Sequence, residues 1–562
     1  MARIDNYLLN GGMNAQASSL ILKDSEFEVL QNYHLDTTGA ITKRLGTARL
    51  IGQILDNFAV GTLFFFRDSQ GTDYSNVLAA VVGNSTSRGI YGIASNAWAD
   101  SSSGNGVYGT GITKPHFFTF LDRVFLVGRG NTANTATAPN GSWGANLVPS
   151  PWNPKFGCVW QDRVYFANNE YTPNPSRIIW SSLPANIDQL NGAITAGDTT
   201  ITVDSTTGFA STTGFILIEG DVIHYTGTGA TTFTGCTGVL NDHADNTEVY
   251  QYKGNTALEI TWRPTIDFAD INPDDNDVIT WIEPLGSQLV IFKNDSLYHW
   301  TFGAVEPDKI IDVGTPEGRS VKKLHGMLLF ANKYGIWVHS GVGQPQLVSR
   351  KIQPFIDAIS DLTAINAEVD QDNYYLSVGN LTVAGETYTN AVLVYNIPNN
   401  AFYLEIYPFV IKSMARFYSK TLGSTVIADA IYMGDNDGNV YRKGTGNTDS
   451  AGGTATPISG YARSKEMGIN FPKGGKLKQL YVTGDQARGT KVNYRIDRGG
   501  WKPAFDLKER ISDGRISDFA RTIQLSFSDN SQISPSKING FTIEYEPDEA
   551  IRRKTTSYAS GI

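Results

Sequence analysis

A repeat of about 40 residues limits this fold more than any other feature. Phe120-Leu121-Asp122-Arg123-Val124-Phe125-Leu126-Val127 aligns with Trp160-Gln161-Asp162-Arg163-Val164-Tyr165-Phe166-Ala167 at an offset of 40, sharing Asp-Arg-Val. A second pair lies further on. Leu289–Phe292, a turn at Asn294-Asp295 and Leu297-Tyr298 match Leu328–Ala331, a turn at Tyr334-Gly335 and Ile336-Trp337, at an offset of 39. Looser copies occur at Leu63–Phe66, at Tyr374–Val378 with Val392–Tyr395, and at Ile431–Tyr441. Short apolar runs separated by turns at this period are the pattern of β-propeller blades. Six or seven candidate blades fit between about residues 55 and 445. No Trp-Asp dipeptide marks them, so the period alone carries the assignment.

Composition agrees with an all-β chain. Tyr and Phe number 26 and 27, and Gly 57; aromatic residues suit a pleated surface and Gly suits tight turns. At 562 residues the chain exceeds the roughly 250–300 that one core supports, so several domains are expected.

The segment 190–252 breaks the rhythm. It is rich in Thr and Gly, and Thr200-Ile201-Thr202-Val203 alternates as a half-exposed strand does. It reads as a small β-domain inserted into a blade loop. The propeller is therefore expected over 55–189 and 253–445. Residues 446–456, mostly Gly, Thr, Ser and Asn, read as a linker. From 457 to 562, Lys476–Val482, Lys491–Ile496, Thr522–Phe527 and Phe541–Tyr545 alternate in part and suggest a C-terminal β-sandwich. Residues 1–54 form an N-terminal segment in which Ser25-Glu26-Phe27-Glu28 reads as a helix capping box. A second short helix is expected over Phe355–Ile365, where Phe355, Ile359 and Leu362 share a face.

The search for chemistry excludes more than it finds. Around Gly475-Lys476, a phosphate loop would need Gly in place of Asn470 and Ser or Thr in place of Leu477. No HExxH and no G-x-S-x-G elbow stands out. The histidines, including His34, His224 and His299, are scattered. Asp435-Asn436-Asp437-Gly438-Asn439 begins like a calcium loop, but the twelfth position is Gly446 rather than Glu, so a hairpin turn is expected. Pro273-Asp274-Asp275-Asn276-Asp277 reads as a solvated acidic turn. Asp122 and Asp162 recur at one repeat position, as structural residues do, and Asp-Arg there reads as a turn followed by a cross-strand pair. No catalytic, cofactor-binding or metal-binding residue is assigned, and the chain is read as non-enzymatic.

The two cysteines, Cys158 and Cys236, make no disulfide framework. The start Met1-Ala2-Arg3-Ile4-Asp5-Asn6 lacks an apolar signal core, and no run of about 18 apolar residues predicts a membrane span. A formal net charge of −9 argues against binding nucleic acid through phosphate neutralisation.

Several segments together resemble one family. Leu22-Lys23-Asp24-Ser25-Glu26, Asn32, Gly39 and Lys43-Arg44-Leu45-Gly46 are similar to the opening of tail nozzle (tail tube, or packaged-DNA stabilisation) proteins of short-tailed bacteriophages. Leu289–Trp300, Gly314-Thr315-Pro316-Glu317-Gly318-Arg319-Ser320 and Leu328–Val338 resemble that family's central repeat, and Ile538–Glu546 its close. The insert resembles a small β-module of phage structural proteins. The resemblance implies a homo-hexameric ring in the virion tail, made in the host cytoplasm. Its partners are an adaptor ring and tail fibres or spikes, and genomic DNA passes through without sequence-specific binding. A distal, receptor-contacting tail protein and a propeller glycan hydrolase are the alternatives.

Overall fold

The computed structural model describes residues 1–54, 58–66, 77–82, 89–94, 97–100, 114–120, 123–128, 134–136, 152–169, 174–181, 187–207, 209, 211–253, 267–422, 425–485, 489–508, 510–532 and 534–548. The fold is all-β, and among these residues the single α-helix is Gln353–Asp357. Two compact units form: residues 1–63, 315–421 and 426–562 make one, and residues 64–314 with 422–425 the other.

In the second unit the 40-residue period is a succession of antiparallel, propeller-like meanders. Ala59–Phe65, the strand at which the first unit passes into the second, forms a four-stranded sheet with Val77–Val82, Gly89–Ala94 and Ala97–Asp100. His116–Phe120, Arg123–Val127 and Asn134–Ala136 form the next. Pro154–Trp160, Arg163–Asn169, Asn174–Trp180 and Phe268–Asp270 form a third, and Ile279–Leu285, Gln288–Lys293, Leu297–Thr301 and Asp308–Ile311 a fourth.

Each inner sheet is covered on both faces, which explains why its strands read as apolar runs rather than alternating ones. Phe117, Val124 and Leu126 pack with Ala80 and Ile90 of the preceding sheet and with Phe66, which follows its first strand. Their alternates Phe118, Phe120, Phe125 and Val127 pack with Val164, Phe166 and Ile179 of the following one. Tyr165, Ala167 and Ile178 then face Ile282, Leu289 and Ile291.

The insert leaves between Asn174–Trp180 and Phe268–Asp270. It builds two sheets of its own: Ile187–Gln189, Glu248–Lys253, Gly214–Ile218 and Asp221–Tyr225 in one, Thr200–Thr202, Thr232–Thr234 and Gly227–Thr228 in the other. Its core is separate and includes Ile201, Ile216, Ile223, Tyr225 and Phe233.

The first unit holds two further meanders. Lys322–Leu324, Met327–Asn332, Gly335–His339 and Gln346–Leu347 make one. Ser413–Phe417, Ala430–Gly434 and Val440–Lys443 make the other, and its fourth strand is Thr47–Arg49 from near the N-terminus. Two larger sheets share one core with them. A ten-stranded sheet carries Asn366–Val369, Asn373–Val383, Glu386–Asn396 and Ala401–Ile406 through Glu26–Gln31 into Gly460–Gly468, Thr522–Asp529, Lys491–Ile496 and Lys502–Asp506. A seven-stranded sheet is built on Lys537–Pro547 and Gly475–Asp485, and Ala2–Asn6 and Ile41–Lys43 both pair with Lys537–Pro547. Their apolar residues, Leu525 and Phe527 from one sheet and Leu480, Phe541 and Ile543 from the other, belong to one cluster, with the Phe527 and Phe541 rings 6.3 Å apart.

Four sequence expectations change. The capping box at Ser25–Glu28 is not helical: Glu26–Gln31 is a strand held on both sides, antiparallel to Gly460–Gly468 and parallel to Ala401–Ile406. Pairing with distant strands overrides a local helix signal. The helix expected over Phe355–Ile365 shrinks to Gln353–Asp357 after a 3-10 turn at Ser349–Ile352. Pro354 sits in its first turn, and it is followed by a turn in which Asp361 accepts the Thr363 amide. The linker at 446–456 contains a hairpin, Thr448–Ala451 with Thr454–Pro457. The loose repeat at Tyr374–Val378 and Val392–Tyr395 lies in the ten-stranded sheet, which runs from this repeat into the C-terminal strands.

Candidate functional site: a buried ionic joint at Arg44

The first unit is fastened by charges that sequence reading did not assign. Asn32 follows the strand Glu26–Gln31 in a left-handed conformation with φ of 57°, a region that Asn tolerates better than most residues. Its amide donates to the Leu404 carbonyl, its Nδ2 to Ser459, and its Oδ1 accepts from the Ile406 amide. One residue thus ties the N-terminal strand to both neighbours.

Arg44 lies against it with its side chain 1% exposed. Nε donates to Asn32 Oδ1 at 2.8 Å. Nη1 and Nη2 hold the two oxygens of Asp449 at 2.9 and 2.5 Å, and their other hydrogens reach the carbonyls of Leu45 and Ile406. All five guanidinium donors are used. The ring of Tyr407 lies beneath, its centroid 4.4 Å from Cζ. Gly46 lets this approach happen: a Cβ there would sit 1.8 Å from the Thr448 carbonyl oxygen.

A second carboxylate stands beside the joint. Glu405 is fully buried; it accepts from Tyr407 Oη at 2.6 Å, lies 2.7 Å from His34 Nε2, and pairs with Lys443 Nζ at 3.1 Å. Burial alone pushes this carboxyl up, but Lys443, the His34 bond and Arg44 outweigh it and hold it well below the usual carboxylate range. Lys43 is likewise buried, on Asp529 at 3.3 Å and the Ser531 carbonyl at 2.8 Å, and burial lowers its ammonium.

Chemically the Arg44–Asp449 pair is a fastening: the guanidinium's donors are all engaged and both side chains are buried. A buried pair of this kind need not be worth more than a well-packed apolar substitute, but losing one partner strands the other.

The residues weighed as sites are also occupied structurally. Asp435 is buried in the turn of its hairpin, accepting from the amides of Asp437 and Asn439, from Asn439 Nδ2 and from Tyr441 Oη. In the acidic turn, Asp275 pairs with Lys293 Nζ at 2.7 Å, and Asp277 accepts from the amides of Asn294 and Asp295 and from Ser296 Oγ. Gln161 and Asp162 form a two-residue turn at φ of 49° and 55°, and Trp160 pairs with Arg163 across it. Arg163 donates to the Ser181 carbonyl. Asp122 lies outside the described residues. Gly475 and Lys476 lie in the strand Gly475–Asp485. His299 is buried, and burial lowers its imidazole. His34 joins Glu405, while His224 stands 3.0 Å from Thr213 Oγ1. Among the described residues, no three His, Cys, Asp or Glu side chains gather as a metal site, and no helix is long and apolar enough to cross a membrane.

No protein-family model matches the sequence, and no curated protein matches it. Solved structures match in part. Saccharomyces cerevisiae Sqt1 covers 71% of this chain and 100% of its own, at 8% identity and a TM-score of 0.35. The C-terminal WD40 domain of Sif2 covers 71% and 99%, at 8% and 0.32, and the AfRom2 CNH domain 71% and 98%, at 7% and 0.33. Similarity this loose assigns no function.

Proposed function

We propose that the chain is a structural subunit of the tail nozzle of a short-tailed bacteriophage, assembling as a homo-hexameric ring around the path of the ejected genome. The observation that carries this reading is the joint at Asn32, Arg44 and Gly46. These residues, on which the resemblance to nozzle proteins rests, serve to lock an N-terminal segment into distant strands. Such a lock suits a part that must keep its shape under load. The acidic balance of the chain fits a conduit that DNA passes without being held, and a closed ring requires contacts that return on themselves by rotation.

A second reading, a receptor-contacting tail protein, is favoured by the insert, a self-contained β-module carried on one loop of a meander. Light scattering and negative-stain imaging of the purified protein, with immunolabelling of virions, separate these readings. A ring with a central hole and label beneath the portal supports the nozzle. A monomer at all concentrations, with label at the distal tip, overturns it.

A further inference from the structure

The charge of the chain is unevenly placed. Residues 190–252 hold seven acids, Asp198, Asp204, Glu219, Asp221, Asp242, Asp245 and Glu248, and no Lys or Arg. The rest of the chain has 48 acids against 46 Lys and Arg, so the insert accounts for seven of the nine net negative charges. Within residues 190–252 only histidine can supply a compensating cation.

One histidine is placed to do so. His243 has a side chain 2% exposed, with Nε2 3.1 Å from Asp221 Oδ2 and Nδ1 3.0 Å from Glu219 Oε2. A neutral imidazole has one N–H and one lone pair, so it satisfies only one of two carboxylates, whereas the imidazolium donates to both. Asp221 is itself buried and is kept ionised by the Leu240 and Asn241 amides and Asn241 Nδ2.

The contact joins separate parts of the module. Glu219 and Gly220, both at positive φ, form the tight turn between Gly214–Ile218 and Asp221–Tyr225. His243 belongs to the segment that crosses back to Ile194, whose amide and carbonyl it pairs with. The charged groups around it are all acidic. Asp242 and Asp245 accept from the amides of Ala196 and Gly192, and Asp198 from that of Thr195. The other histidine, His224, contacts Thr213 and packs against the Phe215 ring at a tilt.

We infer that the insert carries a proton-dependent clasp, in which doubly protonated His243 ties the Glu219–Asp221 turn to the 238–246 segment and frees it on losing a proton to solvent. The clasp is a property of the module and stands apart from the nozzle reading. Burial opposes the imidazolium, but the bonds to Glu219 and Asp221 outweigh it and raise the proton affinity above the ordinary value. The clasp is therefore complete below the unfolded midpoint of about 6.5 and is lost as pH rises through the higher folded one.

The test is histidine-selective NMR of the full chain from pH 5 to 9, with hydrogen exchange of residues 238–246. His243 is expected to titrate above about 6.5, and protection of that segment, corrected for intrinsic exchange, to fall at least tenfold from pH 6 to 8.5. In His243→Gln that fall disappears. Should His243→Gln fail to fold, Glu219→Gln removes an exposed carboxylate and is expected to lower the His243 midpoint. A His243 midpoint at or below 6.5, a midpoint unmoved by Glu219→Gln, or the same pH response in His243→Gln as in the wild type overturns the inference.

Discussion

The joint at Arg44 and the clasp at His243 solve one problem with different cations. Each sets a buried positive group against a buried carboxylate with a second acid nearby, Asp449 and Glu405 in the first unit and Asp221 and Glu219 in the insert. Arginine stays charged at every accessible pH, so the first joint is permanent. Histidine changes charge near neutrality, so the second is conditional. The difference separates a frame that has to hold from a module free to respond.

Breaking the permanent joint has the largest effect. Arg44→Met leaves Asp449 buried without its partner, and urea unfolding of the first unit is expected to lose about 3–5 kcal/mol. Gly46→Ala forces a Cβ against the Thr448 carbonyl and is expected to cost about 1–3 kcal/mol in the same assay, as overpacking does. His243→Gln, assayed at pH 6, removes charged hydrogen bonds from a buried site and is expected to cost about 1–3 kcal/mol in the insert alone.

The comparison sharpens when pH is varied. Glu405 is held below its ordinary value, so its contribution is complete above about pH 4.3 and lost as pH falls toward the folded value. The clasp runs the other way and weakens as pH rises. Unit-resolved unfolding is therefore expected to show slopes of opposite sign; parallel slopes refute the contrast. At the small end, Lys309 and Asp312 form a pair with side chains 43% and 83% exposed. Lys309→Ala is expected to shift stability by less than about 0.5 kcal/mol, because water and salt screen such a pair.

The sequence displays what packing makes periodic. Strands covered on both faces, such as Arg123–Val127 and Arg163–Asn169, leave apolar runs at a fixed spacing, and those runs reveal the meanders. The joint leaves no such trace, since Arg44 and Asp449 are 405 residues apart and nothing local to either announces the other. Lys43-Arg44-Leu45-Gly46 was visible as a motif, but its purpose depends on strands far down the chain. Ser25–Glu28 misleads for the same reason: its helical signal is local, and the pairing that defeats it is not. The acid-only composition of the insert was legible all along, and only the position of His243 gives it meaning.

The strand Glu26–Gln31 also sets an order of events during synthesis. Its junction residue Asn32 is joined to Ile406 across 374 residues. At translation speeds of about 5–20 residues per second, this strand waits roughly 20 to 75 s for that neighbour to be made. Phe27 and Leu30, fully covered in the finished protein, spend that interval without their native cover. Until residues 401–406 and 460–468 are made, the strand therefore stands as an unpaired edge.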